Sequence, residues 1–244
     1  MIQLKLNNKA DFIGSFLSPI SKLTENTVIK VREKEYISTS TSNDGTLIVH
    51  CTYNQQNDID ETIFLNIPDI NKFIKVLSCI NDERVVLDFN NNNIEHKSST
   101  VGFKYHLLED GIIDPPAVDI AKIKQIEFDV KFSVDYSTVN QLIKASTFTT
   151  DTDKIYFYSE NGNVYATLTD KQRHNVDSFT QLISENNKID IPKELPIGFE
   201  TIRIISSIRF DELKVYVNTQ LNVFLFKIKC NETDITIVSS GFVA

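Results

Sequence analysis

The sequence predicts an α+β fold built from two similar halves. Runs of alternating β-branched and aromatic residues predict many short strands, and four short stretches with helical periodicity lie between them. The order of one strand, one helix and then three strands occurs twice in each half. Only 7 of the 244 residues are glycine, which argues against the glycine-rich phosphate loops of nucleotide-binding folds.

Four segments carry an apolar stripe at helical spacing. We expect Pro19 to end the first helix, because proline lacks the N–H that would continue it. Pro68 stands at the predicted start of the second helix, where proline is favoured. The stripes are Phe12, Phe16 and Leu17 in residues 8–18; Ile70, Phe73, Ile74 and Leu77 in 68–80; Val139, Leu142 and Ile143 in 135–147; and Phe199, Ile202, Ile205 and Ile208 in 199–208.

The remaining apolar runs predict strands. Turn signals such as Asn43-Asp44-Gly45 and Asn161-Gly162 separate pairs of these runs, as β-hairpins require. The predicted strands cover residues 27–32, 35–41, 46–53, 61–67, 84–89, 93–98 and 101–107 in the first half, and 126–133, 154–159, 163–169, 177–183, 212–218, 222–229 and 233–239 in the second.

An internal repeat supports the division into halves. Residues 82–87 return as residues 211–216, at an offset of 129 and each time just after a short helix. We therefore predict an N-terminal domain over residues 1–107 and a C-terminal domain over 126–244. Residues 108–125 contain a glycine and a proline pair and are interpreted as the connector between them.

The chemistry-bearing residues do not form a recognisable catalytic or metal-binding pattern. The sequence has no nucleophile elbow, P-loop or zinc-protease motif, and its three cysteines and four histidines are widely separated. We therefore expect no enzyme activity, no metal and no cofactor. No apolar run is long enough to cross a membrane, and the N-terminus lacks the apolar core of a signal peptide. A cytoplasmic protein is expected.

The distribution of charge is the informative feature. The chain has a net charge of −8, yet its four predicted helices are net positive. The helical acids, Asp11, Asp69, Asp135 and Glu200, all lie in or before a first turn, where the helix dipole favours them. The bases are left for the polar faces, where they could meet phosphates: Lys9, Lys22, Lys72, Lys75, Lys144, Arg203 and Arg209.

The two repeated halves and their proline-containing connector resemble the sliding clamps of DNA polymerases, the PCNA-like and T-even-type phage processivity factors. The resemblance covers essentially the whole chain. It rests on the helix of residues 12–17 that leads into the strands of 28–41, and on the helix of 68–77 that leads into the strand of 83–89. The composition suits a phage-encoded version, which would act in the cytoplasm of the infected host.

The resemblance implies a DNA clamp fold and a homotrimeric ring. Sheets would form the outer wall and helices would line a hole around duplex DNA, which their bases would contact without base specificity. The ring would tether a replicative polymerase and be opened by a clamp loader. These partners would dock on exposed apolar residues of the connector and the C-terminal tail: Leu108, Ile112, Ile113, Pro115, Pro116, Val118, Phe242 and Val243.

The resemblance also suggests where subunits meet. The strands 101–107 and 177–183 would be free sheet edges, and an edge with unpaired N–H and C=O groups invites pairing with another strand. Head-to-tail pairing would close the ring. The predicted contacts are Val101, Phe103, Tyr105 and Leu107 on one edge and Phe179, Gln181 and Ile183 on the other.

Two other classes of function remain open at this point. A β-rich phage structural protein, such as a tail or neck ring component, would explain the repeat and the acidity but not the positive helices. An enzyme whose site the sequence does not reveal is the third possibility.

Overall fold

The computed structural model describes residues 2–123, 125–149, 152–173, 175–185 and 188–241. Within this part, the chain forms two compact units. The first consists of Met1–Ser42, Val49–Val118 and Lys229–Ile235, and the second of Asn43–Ile48, Asp119–Ile228 and Thr236–Ala244. Each unit therefore borrows a short segment from the other half of the sequence.

The first half contains eight strands among the described residues. Its elements in chain order are β1 (Ile2–Leu6), α1 (Lys9–Asp11), a π-helix (Phe12–Leu17), α2 (Ser18–Ser21), β2 (Thr27–Arg32), β3 (Glu35–Thr41), β4 (Leu47–Asn54), β5 (Ile63–Ile67), α3 (Ile70–Ser78), β6 (Val85–Asn90), β7 (Asn93–Lys97) and β8 (Gly102–His106).

The second half repeats this order after a helical turn in the connector. Its elements are α4 (Ile120–Ile123), β9 (Val130–Val134), α5 (Tyr136–Ser146), β10 (Lys154–Glu160), β11 (Asn163–Leu168), β12 (Phe179–Ser184), β13 (Leu195–Gly198), α6 (Glu200–Ser206), β14 (Leu213–Asn218), β15 (Val223–Cys230) and β16 (Thr233–Ser240). The predicted α+β fold, with two strand-helix-three-strand sets in each half, is confirmed.

The sheets repeat as well. In the first half, β1-β6-β7-β8 form one sheet, and a second run of hydrogen-bonded strands follows the order β5-β2-β3-β4. In the second half, β12-β11-β10-β13 and β16-β15-β14-β9 correspond to these. The strand pairs whose registers are resolved are antiparallel. In strands such as β2, β3 and β14, alternate residues are buried, so one face of the sheet lies in the core.

Two strands were not predicted. β1 is a five-residue strand that pairs with β6 through Leu4 and Leu87. β13 contains Pro196, and proline argues against a strand because it cannot donate to the ladder. β13 lies at the end of its sheet, the position at which a strand tolerates that loss.

The first helical segment differs from the prediction at Pro19. The helix does not end there but continues through α2, in which Pro19 occupies the first turn. Proline is tolerated in a first turn because the N–H groups there have no helical acceptor. The preceding π-helix ends at Leu17, directly before this turn. α3, α5 and α6 lie within the predicted ranges, whereas α4 is a short helix in the connector that was not predicted.

An aromatic cluster fills the core beneath the first helical segment. The ring of Phe12 stacks on Phe16 at a centroid distance of 5.0 Å and meets the edge of Tyr53 at 5.2 Å. All three side chains are at most 1% exposed. Tyr53 also accepts a hydrogen bond from the backbone N–H of Asn8 through its hydroxyl, which fixes the start of the helix.

Buried Asp11 ties the same helix to the turn between β15 and β16. Its Oδ2 accepts a hydrogen bond from Thr233 Oγ1 at 2.8 Å and another from the backbone N–H of Glu232 at 3.2 Å. Thr233 is fully buried. Removal of the carboxylate would therefore leave two donors without an acceptor in or near the core.

We expect Asp11→Ala to lower the free energy of unfolding by about 3 kcal/mol, because both donors would be left without an acceptor. Urea denaturation followed by circular dichroism measures the change. Asp11→Asn keeps one acceptor oxygen and should cost less. Asp82→Ala, at an exposed position, serves as the control. Equal stabilities for Asp11→Ala and Asp82→Ala would contradict the assignment.

Candidate DNA-facing surface, partner groove and strand edges

The helices of each unit pack in a pair. In the first unit, α3 contacts the π-helix and α2, and in the second, α5 contacts α6. Each helix turns its apolar stripe inward. On α3, Ile70, Phe73 and Leu77 are buried, and on α5, Val139 and Leu142 are buried. The polar faces of the paired helices are consequently exposed together.

Six of the seven predicted DNA contacts are exposed on or beside these helices. They are Lys22, Lys72, Lys75, Lys144, Arg203 and Arg209. Lys72 and Lys75 are one turn apart on α3, so they share a face. Arg203 forms an ion pair with Glu200 at 3.2 Å, and its guanidinium lies 5.2 Å from the ring centroid of Phe199. It is the only one of the six with an ion pair among the described residues.

Lys9 corrects the prediction. Its side chain is 7% exposed, and its Nζ donates a hydrogen bond to the backbone carbonyl of Ile80. Ile80 lies two residues beyond the end of α3. Lys9 therefore links α1 to the segment that follows α3 and is removed from the DNA-facing set.

The helical acids have mostly structural roles. Asp69 caps α3, since its Oδ1 accepts the backbone N–H of Lys72 at 2.8 Å. Glu200 pairs with Arg203 and Asp11 is buried, as described above. Asp135 precedes α5 without a side-chain cap bond. The four acids lie at helix starts, as predicted, and three of them, Asp69, Asp135 and Glu200, are exposed there.

The connector is held against the first unit by Asn66 of β5. Its Nδ2 donates to the carbonyl of Leu108 at 3.3 Å and to Asp110 Oδ1 at 2.8 Å. The backbone N–H of Leu108 returns a bond to the carbonyl of Asn66 at 3.0 Å. Local sequence patterns do not identify Asn66, because its partners lie over 40 positions away.

The predicted partner-binding residues differ in exposure. Ile112 is 60% exposed, and Pro115 is also exposed. Leu108, Ile113, Pro116 and Val118 are half-buried. Phe242 and Val243 lie outside the described residues.

A shallow groove of about 130 Å³ separates the connector from β2 and β3. Ile113, Pro115 and Pro116 form one wall, and Val28 and Thr39 belong to the other. Val28 and Thr39 alternate with buried residues on their strands, so they project from the sheet face opposite the core. Alternation alone could have identified that face, but not that the connector crosses it.

The strands β8 and β12 are both terminal strands of their sheets, but the free backbone groups are not those of the predicted contact residues. The N–H of Leu107 bonds to Asn92 and the carbonyl of Val101 accepts from Ser98. With the register of Tyr105 opposite Ile94, odd-numbered residues bond inward to β7. Even-numbered residues, including Lys104, direct their N–H and C=O groups to the free edge.

The same correction applies to β12. The two-residue turn Asn161-Gly162, with both φ angles positive, makes Glu160 and Asn163 a hydrogen-bonded pair. Following the register across β11, Phe179 and Gln181 bond inward. Thr180 and Leu182 therefore direct their backbone groups outward.

The predicted contact residues keep a role on the core side of each edge. Tyr105 packs against Phe73 at a ring distance of 5.0 Å and donates its hydroxyl proton to the carbonyl of Asp69 at 2.7 Å. Burial raises the pKa of Tyr105 to about 12, so the hydroxyl remains a donor at neutral pH. Phe103, Phe179 and Gln181 are half-buried, and Leu107 and Ile183 are buried.

The described residues contain no cluster that resembles a metal site. No group of three or more histidine, cysteine, aspartate or glutamate side chains among them is arranged to hold a metal ion. In the same residues, none of the helices has the length and apolar character to cross a membrane.

Solved structures similar to this chain are PCNA proteins. They include A. fulgidus PCNA bound to the C-terminal region of FEN-1, with a TM-score of 0.77 and 14% identity over 100% of this chain and 99% of that one. PCNA of Thermococcus kodakaraensis has a TM-score of 0.74 and 13% identity over 99% and 100% of the two chains. A chain of the Sulfolobus tokodaii PCNA2–PCNA3 complex has a TM-score of 0.74 and 14% identity, over 98% of this chain and 99% of that one.

No protein-family model matches the sequence, and no curated protein sequence is significantly similar. The likeness is therefore one of fold, and it extends over the whole length of the chain. The protein has the DNA clamp fold of the PCNA sliding clamps, as the arrangement of its sequence elements predicted.

Proposed function

We propose that the protein is a sliding clamp, a processivity factor that encircles duplex DNA and tethers a replicative polymerase. The observation that carries the proposal is the exposure of six basic side chains on or beside the paired helices of both units, in a chain of net charge −8. The full-length likeness to PCNA proteins supports it. An acidic protein would be repelled by DNA unless the contact surface were locally basic.

The proposed contact is electrostatic and independent of base sequence. Lysine and arginine side chains reach phosphate oxygens, which are alike at every base pair. Among the described residues, five of the six bases have no ion pair, and three of the six belong to each unit. A ring with such contacts holds DNA by topology and can still slide along it.

The experiment loads the protein on a nicked circular plasmid and follows retention by gel filtration. A clamp is retained on the circle and released when the plasmid is cut. A quadruple variant replaces Lys72, Lys75, Lys144 and Arg203 with alanine. Its retention on the circular plasmid should weaken. The log–log salt slope should fall by about 0.9 for each phosphate that the variant no longer neutralises.

The matched control replaces four exposed lysines of strands and turns, Lys5, Lys34, Lys97 and Lys193, with alanine. It changes net charge equally and should leave the slope unaltered. Equal slopes for the two variants would contradict the DNA-facing assignment. Equal retention on cut and circular DNA would contradict encirclement and favour the structural-protein alternative.

We further propose that the polymerase or the clamp loader docks a hydrophobic peptide at the connector groove. Ile113 lines the groove and Ile112 stands exposed beside it. The FEN-1 region bound to A. fulgidus PCNA supports the proposal that clamps of this fold present a peptide site. The tail residues Phe242 and Val243 are proposed to contribute.

Ile113→Ser should reduce stimulation of primer extension by the polymerase, because a hydroxyl in the groove disfavours an apolar side chain of the partner. Retention on circular DNA should be unchanged. Leu221→Ser replaces an equally apolar residue that is 62% exposed in the second unit and should retain full stimulation. Full stimulation by Ile113→Ser would exclude the groove as the docking site.

Three copies are proposed to close the ring through β8 of one copy and β12 of the next. The outward backbone groups of Gly102, Lys104 and His106 would pair with those of Thr180 and Leu182. The predicted contact residues, Val101, Phe103, Tyr105 and Leu107 with Phe179, Gln181 and Ile183, would then pack on the core side of the junction.

Lys104→Pro should convert the trimer to monomers without unfolding them. Proline removes a backbone N–H that points to the free edge, so every backbone hydrogen bond within the sheet is kept. The exposed ion pair of Lys104 with Glu95 is lost in this variant and in the alanine control alike. Lys104→Ala keeps the N–H and should remain trimeric. Sedimentation velocity at micromolar concentration measures the mass, and a folded Lys104→Pro protein of about three chains would place the junction elsewhere.

The remaining assignments follow from the same proposal. We infer an N-terminal clamp domain over residues 1–107, a connector over 108–125 and a C-terminal clamp domain over 126–244. A clamp needs no catalytic group and no cofactor. Its site of action is the cytoplasm, that of an infected host cell if the protein is phage-encoded.

A further inference from the structure

Three exposed lysines surround one tyrosine on a sheet face of the second unit. We name Lys131 of β9, Lys214 of β14 and Lys227 of β15 the lysine patch. The strand registers place Tyr216 opposite Lys131 and Lys214 opposite Lys227. All three lysines are exposed, while Tyr216 is half-buried.

The tyrosine ring holds two of the ammonium groups in place. The Nζ atoms of Lys131 and Lys227 each lie 5.0 Å from the ring centroid of Tyr216. Lys131 approaches from the strand on one side of Tyr216 and Lys227 from the strand on the other. Phe128 supports the ring by an edge contact at 6.1 Å. Cation–π contacts of this kind orient flexible lysine side chains.

The patch is only partly neutralised by the chain itself. Glu212 lies 3.1 Å from Lys214 Nζ and accepts a hydrogen bond from Ser133 Oγ at 3.1 Å. Hydrogen bonds from Lys214 and Ser133 lower the pKa of Glu212, so it is ionised at neutral pH. Among the described residues, no carboxylate forms an ion pair with Lys131 or Lys227.

Protection of a sheet edge does not explain this arrangement. Lysine on an edge strand discourages unwanted strand pairing, and β9 is such a strand. Lys214 and Lys227, however, lie on β14 and β15, which have neighbours on both sides. Like charges directly opposite each other on paired strands are destabilising, so edge protection does not account for this pair.

The patch also faces away from the helices. Alternation along the strands places Phe132, Val215 and Phe226 on the opposite face, where all three are buried in the core of the unit. α6 contacts the same sheet from that core, through the hydrogen bond between Thr201 and Ser239 at 3.2 Å. The lysines of the patch are thus separated from Lys144 and Arg203 by the thickness of the core.

We propose that the lysine patch is a docking surface for an acidic peptide segment of a partner protein. Charge complementarity selects an anionic partner, and Glu212 already shows a carboxylate seated against Lys214 and Ser133. A single-stranded nucleic acid would need a free aromatic face for base stacking. The ring of Tyr216 is half-buried and already contacts two ammonium groups, so it is not a free platform. This inference does not depend on the clamp function.

The test uses the full chain, without DNA, and a fluorescein-labelled peptide of alternating glutamate and glycine. Fluorescence anisotropy at low salt should show binding that added salt weakens. The double variant Lys131→Gln and Lys227→Gln should weaken binding about fivefold, as expected for two exposed ion pairs. The peptide of alternating glutamine and glycine should not bind.

The matched control, Lys34→Gln with Lys97→Gln, changes net charge equally at exposed positions outside the patch and should retain affinity within about twofold. Equal weakening by both variants would overturn the proposal, because the binding would then reflect net charge alone. Binding of a labelled oligothymidine is measured in the same way. If it binds more tightly than the peptide and loses affinity in the patch variant, the proposal is overturned and single-stranded DNA is the ligand of the patch. Unchanged DNA retention by the patch variant separates this result from the clamp test.

Discussion

The burial of one face of every sheet beneath a pair of short helices is the constraint on which the rest of the structure depends. Helices of seven to eleven residues, such as α3, α5 and α6, are marginal in isolation and are held by tertiary packing. Their apolar stripes must therefore point to the core, and their polar faces are exposed together. The placement of the basic residues follows from this requirement, because lysine and arginine can occupy only the faces that packing leaves free.

Local patterns were sufficient for the elements that the core requires. The spacing of Ile70, Phe73 and Leu77 predicted α3, and Asn161-Gly162 predicted the hairpin of β10 and β11, since both signals act within a few residues. Prediction was wrong where the effect of a proline depends on its position in the element. Pro196 argues against a strand, yet β13 tolerates it because this strand lies at the end of its sheet. Pro19 lies in the first turn of α2, where the missing N–H costs no helical hydrogen bond.

The candidate surfaces show the same limit. Charge identified the basic helices, but it could not distinguish Lys9 from Lys72. Lys72 is exposed, whereas Lys9 is buried and donates a hydrogen bond to a carbonyl 71 residues away. Similarly, alternation identified the apolar side of β8. It could not show that the backbone of Tyr105 bonds inward, because this follows from the two-residue turn of the neighbouring hairpin rather than from β8 itself.

The alternation of strand residues separates two basic surfaces of one acidic chain. In the proposed clamp, the helical bases would contact phosphates, and Arg203 is already paired with Glu200. Phosphate contacts are independent of base sequence, so this attraction would let the closed ring slide along the DNA that it retains. Lys131 and Lys227 face away from the core that supports these helices, so their charge adds nothing to the contact with encircled DNA and is free to select a protein partner.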